Sequence, residues 1–188
     1  MDVRTAMAPV LAGRPVDPDA ALVAEALADP RAFLELYDRY FDRVLGYVRL
    51  RVRDAATCED VTSHVFTTAL AQLPRFRGSG TFGGWLFQIA RNAVHDLGRR
   101  PVLEPLAPSL PASEVDLDRR LDDQARAARL RALIASLAPE QQHLLALRYG
   151  AAFSFDEIAE ATGVSAGTAR VRLHRLLHDL RKRYSDDD

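Results

Sequence analysis

The sequence predicts an all-α protein of two small helical domains, an N-terminal helical bundle and a C-terminal helix-turn-helix domain, joined by a flexible linker. Three observations predict it. Apolar residues recur at spacings of three and four on both sides of a proline-rich stretch, and no segment alternates like a strand over a useful length. That stretch carries Pro101, Pro105, Pro108 and Pro111, and proline at such density resists helix and keeps a chain extended. A chain of 188 residues, 48% of them hydrophobic, has room for one mid-sized or two small domains with real cores.

The elements follow in order. Residues 1–18 are rich in Ala, Pro and Asp without sustained period and read as a mobile tail. Residues 19–100 form the first domain. "ALVAEALA" is a short helix stopped near "DPRAF". Phe33, Leu36, Tyr37, Tyr40, Phe41, Val44, Leu45 and Val48 then mark a buried stripe over four turns. A third helix carries Val61, Val65, Phe66, Ala69, Leu70 and Leu73 and stops at Pro74. A glycine-rich loop, "FRGSGTFGGW", leads to a fourth helix from about Trp85 to Leu97. Residues 101–120 are the linker. The second domain spans 121–184, with a helix marked by Leu130, Leu133, Ile134 and Leu137, and another led by Pro139. Residues 185–188 are an acidic tail.

Within the second domain, Ser154 and Glu157 form a capping box that starts a helix. Gly163 stops that helix in the left-handed conformation, and Ser165 caps the next. A short helix, a turn and a longer helix make a helix-turn-helix pattern. On the longer helix, Ala169, Leu173, Leu176, Leu177 and Leu180 form one stripe. Thr168, Val171, Arg172, Arg175 and Lys182 fall on the opposite side, with Arg170 on a flank. Over 165–183, Arg170, Arg172, Arg175, Arg181, Lys182 and Arg183 face one acid, Asp179, in a chain of net charge −1. Guanidiniums so arranged pair with phosphates and with guanine edges in the major groove. A solvated basic face on a structural helix is the plainer alternative for a lone basic helix; the capping box, the glycine turn and the two-sided helix together favour DNA binding over it.

The first domain carries a second polar face. Trp85, Ile89, Ala90, Ala93, Val94 and Leu97 build the buried stripe of the fourth helix. Gln88, Arg91, Asn92, His95 and Arg99 lie across from it. Aromatic rings beside arginines are what unstacked bases bind to, and a flexible loop can close on a base taken out of the duplex. Trp85 is core by its register. Phe82 serves either the core or a base, and Arg77 with its glycines fits the functional reading.

With these residues in view, "FRGSGTFGGWLFQIARNAVHDLGRR" resembles the promoter-melting segment of bacterial RNA polymerase sigma factors, closest to the extracytoplasmic-function (ECF) group of the sigma-70 family. "FLELYDRYFDRVLGYVRLRV" and "CEDVTSHVFTTALAQL" resemble the preceding helices of their first domain. "LAPEQQHLLALRYGAAFSFDEIAEATGVSAGTARVRLHRLLHDL" resembles their C-terminal domain. The resemblance implies a dissociable subunit that directs core RNA polymerase to promoters and captures melted promoter DNA. It implies docking on the β′ clamp helices through Glu59, Asp60 and Phe66, and contact with the β flap by the second domain. Arg77, Gly78, Ser79 and Phe82 would capture a base of the minus-ten element, and Gln88, Arg91, Asn92 and Arg99 would hold the opened strand. Thr168, Arg170, Val171, Arg172 and Arg175 would face the minus-thirty-five element. An anti-sigma factor is an implied partner.

Some positions depart from the family's pattern. Ser63 and His64 replace a usual glutamine and acid, which bears on the strength of β′ docking. Gly83 and Gly84 stand where larger residues are commoner and suggest a looser loop. Gly98 lowers helix stability there by up to ~1 kcal/mol relative to Ala. Val171 replaces a small polar residue, and an apolar tip can meet a thymine methyl.

The single cysteine, Cys58, excludes disulfide scaffolds and four-cysteine zinc sites. Cys58 and His64 are too few ligands for a zinc site, and the thiol reads as a small residue. His95, His174 and His178 have no partner at a catalytic spacing, so no enzyme activity is expected, and no nucleotide, metal or other cofactor is required. No apolar run approaches the ~20 residues of a membrane span, and the N-terminus has no signal-peptide pattern, so a cytoplasmic protein without membrane insertion is expected. Two weak readers on one linker bind well only when core enzyme fixes their spacing. The alternative is a helix-turn-helix regulator that binds DNA without polymerase. It would need a sensor domain of alternating strands and helices, where residues 19–100 show helical patterns.

Overall fold

The computed structural model describes residues 17–78, 80–97 and 117–186, with side chains described for all of these except 117–125 and 186. Among them there is no strand. The helices are α1 (Ala20–Ala28), α2 (Phe33–Arg49), α3 (Ala55–Gln72), α4 (Phe82–Leu97), α5 (Leu117–Ala135), α6 (Pro139–Leu145), α7 (Phe155–Thr162) and α8 (Ala166–Asp186). The body of the expected N-terminal tail, most of the expected linker and the last two residues lie outside the described residues. Helix α5 begins at Leu117, inside the stretch read as linker.

Each start and stop has a local cause. Asp54 caps α3, its carboxylate accepting the Thr57 amide at 2.7 Å and the Thr57 hydroxyl at 2.6 Å. Helix α3 ends at Gln72, and Pro74 sits in the single 3-10 turn Leu73–Arg75 that follows. Pro139 opens α6, and a π-helical turn, Ala146–Gly150, continues it. The capping box at α7 is complete: the Ser154 hydroxyl accepts the Glu157 amide at 3.1 Å, and Glu157 Oε2 accepts the Ser154 amide at 2.7 Å. Gly163 ends α7 at φ +72°, where a Cβ is strained. Ser165 Oγ accepts the Thr168 amide at 3.1 Å and so caps α8.

Helix α4 starts three residues before the expected Trp85. Its first amide, that of Phe82, donates to the Asp17 carboxylate at 2.9 Å, and Thr81 Oγ1 accepts the Gly84 amide at 3.2 Å. Gly83 and Gly84 therefore belong to the first helical turn, and both are buried. Their smallness serves packing, which corrects the expectation of a looser loop. A Cβ on Gly83 would lie 2.8 Å from the Tyr40 hydroxyl, and that hydroxyl is held by the buried Asp19 carboxylate, which also pairs with Arg39.

The two halves pack on one another along α2 and α4. The backbones of Gly46 in α2 and Gly150 in the π-turn approach so closely that a Cβ on Gly46 would lie 2.2 Å from the Gly150 carbonyl oxygen. Arg43 spans the contact: Nε donates to the Ala151 carbonyl at 2.9 Å, Nη2 to Glu157 Oε1 at 2.7 Å, and the guanidinium sits 4.3 Å from the Phe153 ring centre. Ala152, beside it, holds φ +54°, a costly conformation for a residue with a Cβ. The Phe87 and Phe153 rings meet edge-on with centres 4.6 Å apart. The Tyr47 hydroxyl bonds His143 Nδ1 at 2.8 Å, with both residues buried. The apolar core runs continuously through both halves.

Candidate nucleic-acid interface

The residues expected to meet DNA and polymerase fall into three groups. In the first, Glu59 and Asp60 stand exposed on the second turn of α3. Phe66 is on the same helix but only 4% exposed, with its ring 4.6 Å from Tyr37 and 6.4 Å from Phe41. The ring closes the contact between α2 and α3, so of the three expected docking residues Glu59 and Asp60 alone stand exposed. Ser63 and His64 are exposed beside it. Cys58 is buried with its thiol aimed at the Val52 carbonyl, 3.6 Å away, and burial pushes its pKa up, so it is a packing residue.

The second group surrounds the loop before α4. Arg77 is exposed, and Gly78 takes φ +59°, which favours glycine. Ser79 lies outside the described residues. Phe82 is wholly buried, its ring packed on Tyr40, Phe76 and Trp85 at 5.5, 6.2 and 5.7 Å. Of its two readings this structure displays the core one, with the ring as the floor of the loop. Phe76 is the half-exposed aromatic at the loop's mouth. Along α4, Gln88 and Asn92 are exposed and Arg91 is half-exposed, while Arg99 lies outside the described residues. Gln88 and Arg91 are engaged, however. Gln88 Nε2 donates to the Ala161 carbonyl at 3.2 Å, and Arg91 stands 3.6 Å from the Glu140 carboxylate.

The third group is the outer face of α8. Ala169, Leu173, Leu176 and Leu180 are buried, which turns Thr168, Arg170, Val171, Arg172 and Arg175 outward. The Thr168 hydroxyl shares a 2.8 Å hydrogen bond with Ser165, and the Arg170 guanidinium sits 4.9 Å from the Phe155 ring centre. Val171 is 49% exposed, an apolar tip among guanidiniums. Between the second and third groups lies a cleft of about 540 Å³, lined by Gln88 and Arg91 of α4, Glu140 and His143 of α6, and Arg172 and Arg175 of α8. Among the described residues no group of three or more His, Cys, Asp or Glu could hold a metal ion.

Arg43, Tyr47, His143 and Glu157 have roles that sequence reasoning missed. Glu157 was legible as half of a capping box, and its other carboxylate oxygen takes Arg43 from the distant α2. Burial pushes the Glu157 carboxyl up, but the hydrogen bonds from Arg43 and Ser154 outweigh it and leave its pKa below the usual value. Burial, then Arg91 and Arg51, hold His143 down at about 4, so its ring is neutral near pH 7. Burial raises Tyr47 to about 12.

A family model described as Sigma-70 region 2 matches residues 36–101, and one described as Sigma-70, region 4 matches residues 127–180. The ECF RNA polymerase sigma factor BldN of Streptomyces coelicolor is 35% identical over 91% of this chain and 69% of its own length. The chain is a sigma factor of the sigma-70 family. Its kinship is with the ECF group: ShbA of Streptomyces griseus subsp. griseus is 30% identical over 96% of both chains. Among solved structures, CnrH in complex with the cytosolic domain of CnrY shares the fold, with a TM-score of 0.68 and 24% identity over 92% of this chain and all of that one. As a sigma factor the chain works with core RNA polymerase and promoter DNA; the region 2 match contains the loop–α4 surface and the region 4 match contains α7 and most of α8. No described helix is long and apolar enough to cross a membrane.

Proposed function

We propose that this sigma factor divides promoter recognition between its two polar faces. Glu59 and Asp60 dock the first domain on the β′ clamp helices of core polymerase. Arg77, Gly78 and Ser79 close over a minus-ten base, with Phe76 at the mouth of the loop and Phe82 as its floor. Gln88, Arg91, Asn92 and Arg99 hold the opened strand. Thr168, Arg170, Val171, Arg172 and Arg175 enter the major groove at the minus-thirty-five element. The observation that carries this reading is the outward face of α8, where four polar or basic side chains and Val171 sit on the second helix of a helix-turn-helix inside the region 4 match. In the same reading the chain works in the cytoplasm without a catalytic step or cofactor, and an anti-sigma factor covers its docking surfaces.

The test is a pull-down of the purified chain with bacterial core RNA polymerase, repeated with Glu59→Arg and Asp60→Arg together. Both residues are exposed, so the fold should survive the change. Wild-type capture that the double variant loses is the expected result. Equal capture of both would move the docking surface away from α3.

A further inference from the structure

The first turn of α4 is closed from two directions. The opening amides of a helix have no partner within it. Thr81 supplies one locally, its Oγ1 accepting the Gly84 amide at 3.2 Å. The Phe82 amide instead reaches 65 residues back along the chain, to Asp17 Oδ2 at 2.9 Å. Asp17 is itself fixed: its other carboxylate oxygen accepts the Asp19 amide at 3.0 Å, and its carbonyl accepts the Ala20 amide at 3.1 Å. Two residues on, the buried Asp19 carboxylate takes the Tyr40 hydroxyl and pairs with Arg39. The Tyr40 ring in turn packs on Phe82, with centres 5.5 Å apart. Residues 17–19 therefore hold Phe82 by its backbone through Asp17 and by its ring through Asp19. That hold passes to the loop. Phe76 at the mouth rests its ring on Phe82 and Trp85, at 6.2 and 5.1 Å. The stretch between Phe76 and Phe82 contains Gly78 and Gly80, and a Cβ on either would meet nothing within 4 Å. The ends of such a stretch largely set its course, and both meet at Phe82, one through the chain and one through the Phe76 ring.

We infer that Asp17 is a positioning residue for base capture: by capping α4 across the bundle, its carboxylate sets the shape of the minus-ten loop and with it the discrimination of the captured base. This role rests on the assignment of that loop to the minus-ten element. Asp17 touches no DNA in this scheme. It acts through the Phe82 backbone, and its negative charge also suits the positive end of the α4 dipole. Without the carboxylate, the amide of the buried Phe82 loses its acceptor, and the first turn of α4 frays toward Trp85. The loop then samples many shapes, and ordering it on a base costs part of the binding. A loop that fits every base loosely discriminates poorly between them.

The experiment compares wild type with Asp17→Ala and Asp17→Asn in the full chain, with circular dichroism confirming equal helicity. Amide hydrogen exchange of the free protein, read at single residues by NMR, tests the cap. In Asp17→Ala the Phe82 amide should exchange roughly tenfold faster, while Val44 in α2 and Val65 in α3, both wholly buried, keep their protection. Asp17→Asn keeps one acceptor oxygen for two amides and should fall between. Selection from a random-sequence pool of single-stranded DNA, by the chain bound to core RNA polymerase, tests the consequence. Wild type should enrich one base at the captured position. Asp17→Ala should cut that enrichment by about fivefold, with Asp17→Asn between and affinity for core polymerase unchanged in both. Unchanged Phe82 exchange in Asp17→Ala would overturn the cap. Faster exchange with undiminished enrichment would overturn the positioning role, and so would an equal loss of protection across α2, α3 and α4, the mark of general destabilisation. No enrichment by wild type would overturn the minus-ten reading on which this role rests, while the exchange comparison still judges the cap.

Discussion

At the scale of single residues, accessibility separates the side chains that shape the minus-ten loop from those that can touch DNA. Phe82 and Arg77 are five positions apart, yet one ring is wholly buried and the other side chain is exposed. Phe82→Ala should cost about 3–5 kcal/mol of stability, as large-to-small changes in a core do. Arg77→Ala should leave the urea midpoint unchanged and weaken open-complex formation. The pair of measurements decides the assignment: a Phe82→Ala protein of full stability that fails only in promoter opening would return that ring to the DNA. The sequence left Phe82 open because its burial depends on where α4 begins. That start is set by the Asp17 carboxylate, a residue read as part of the tail. Phe66 stood in the apolar series of its helix by spacing and among the docking residues by resemblance; the structure packs its ring on Tyr37 and Phe41 of α2.

At the scale of elements, local chemistry was the legible part. The capping box of Ser154 and Glu157, the left-handed Gly163 and the proline at the head of α6 are all short-range features, and each sits where its chemistry predicts. Gly83 was not legible, because its reason is across the bundle. By propensity alone, Gly83→Ala in the first turn of α4 would stabilise the helix by up to ~1 kcal/mol. The new Cβ would lie 2.8 Å from the Tyr40 hydroxyl, and Tyr40 is fixed by Asp19, which Arg39 also holds. Burial raises the Tyr40 pKa further, so the hydroxyl stays a neutral donor to that carboxylate. Overpacking of this kind typically costs 1–3 kcal/mol, so the clash should win and Gly83→Ala should lower the unfolding midpoint. A gain in stability would mean that the Tyr40–Asp19 pair yields easily.

At the scale of the whole molecule, the contact between domains is what no local pattern announced. Arg43, Tyr47 and His143 are unremarkable at their own positions and acquire meaning only when α2 meets α6, the π-turn and α7, where Glu157 adds Arg43 to its local capping role. This contact should be sensitive to acid, and His143 makes the sign explicit. Its folded pKa of about 4 lies below the ordinary value of 6.5, so the neutral ring belongs to the packed state and the unpacked state takes up the proton first. The stabilisation is therefore complete above about pH 6.5 and declines as pH falls toward 4. Its ceiling is about 3 kcal/mol, from ~1.36 kcal/mol for each of roughly 2.5 units. The charges facing the ring, Arg51 and Arg91 from the first domain, oppose its protonation, and Tyr47 offers it only a neutral hydroxyl. Glu157 begins to lose its ion pair with Arg43 only below its ordinary value of 4.5, so between pH 6.5 and 4.5 the histidine acts without it. Urea unfolding across that window should show wild type losing stability on acidification, while His143→Gln, which cannot take up a proton there, should show a shallower slope. Equal slopes would mean that the ring is solvated in the free protein and that the domains are already apart.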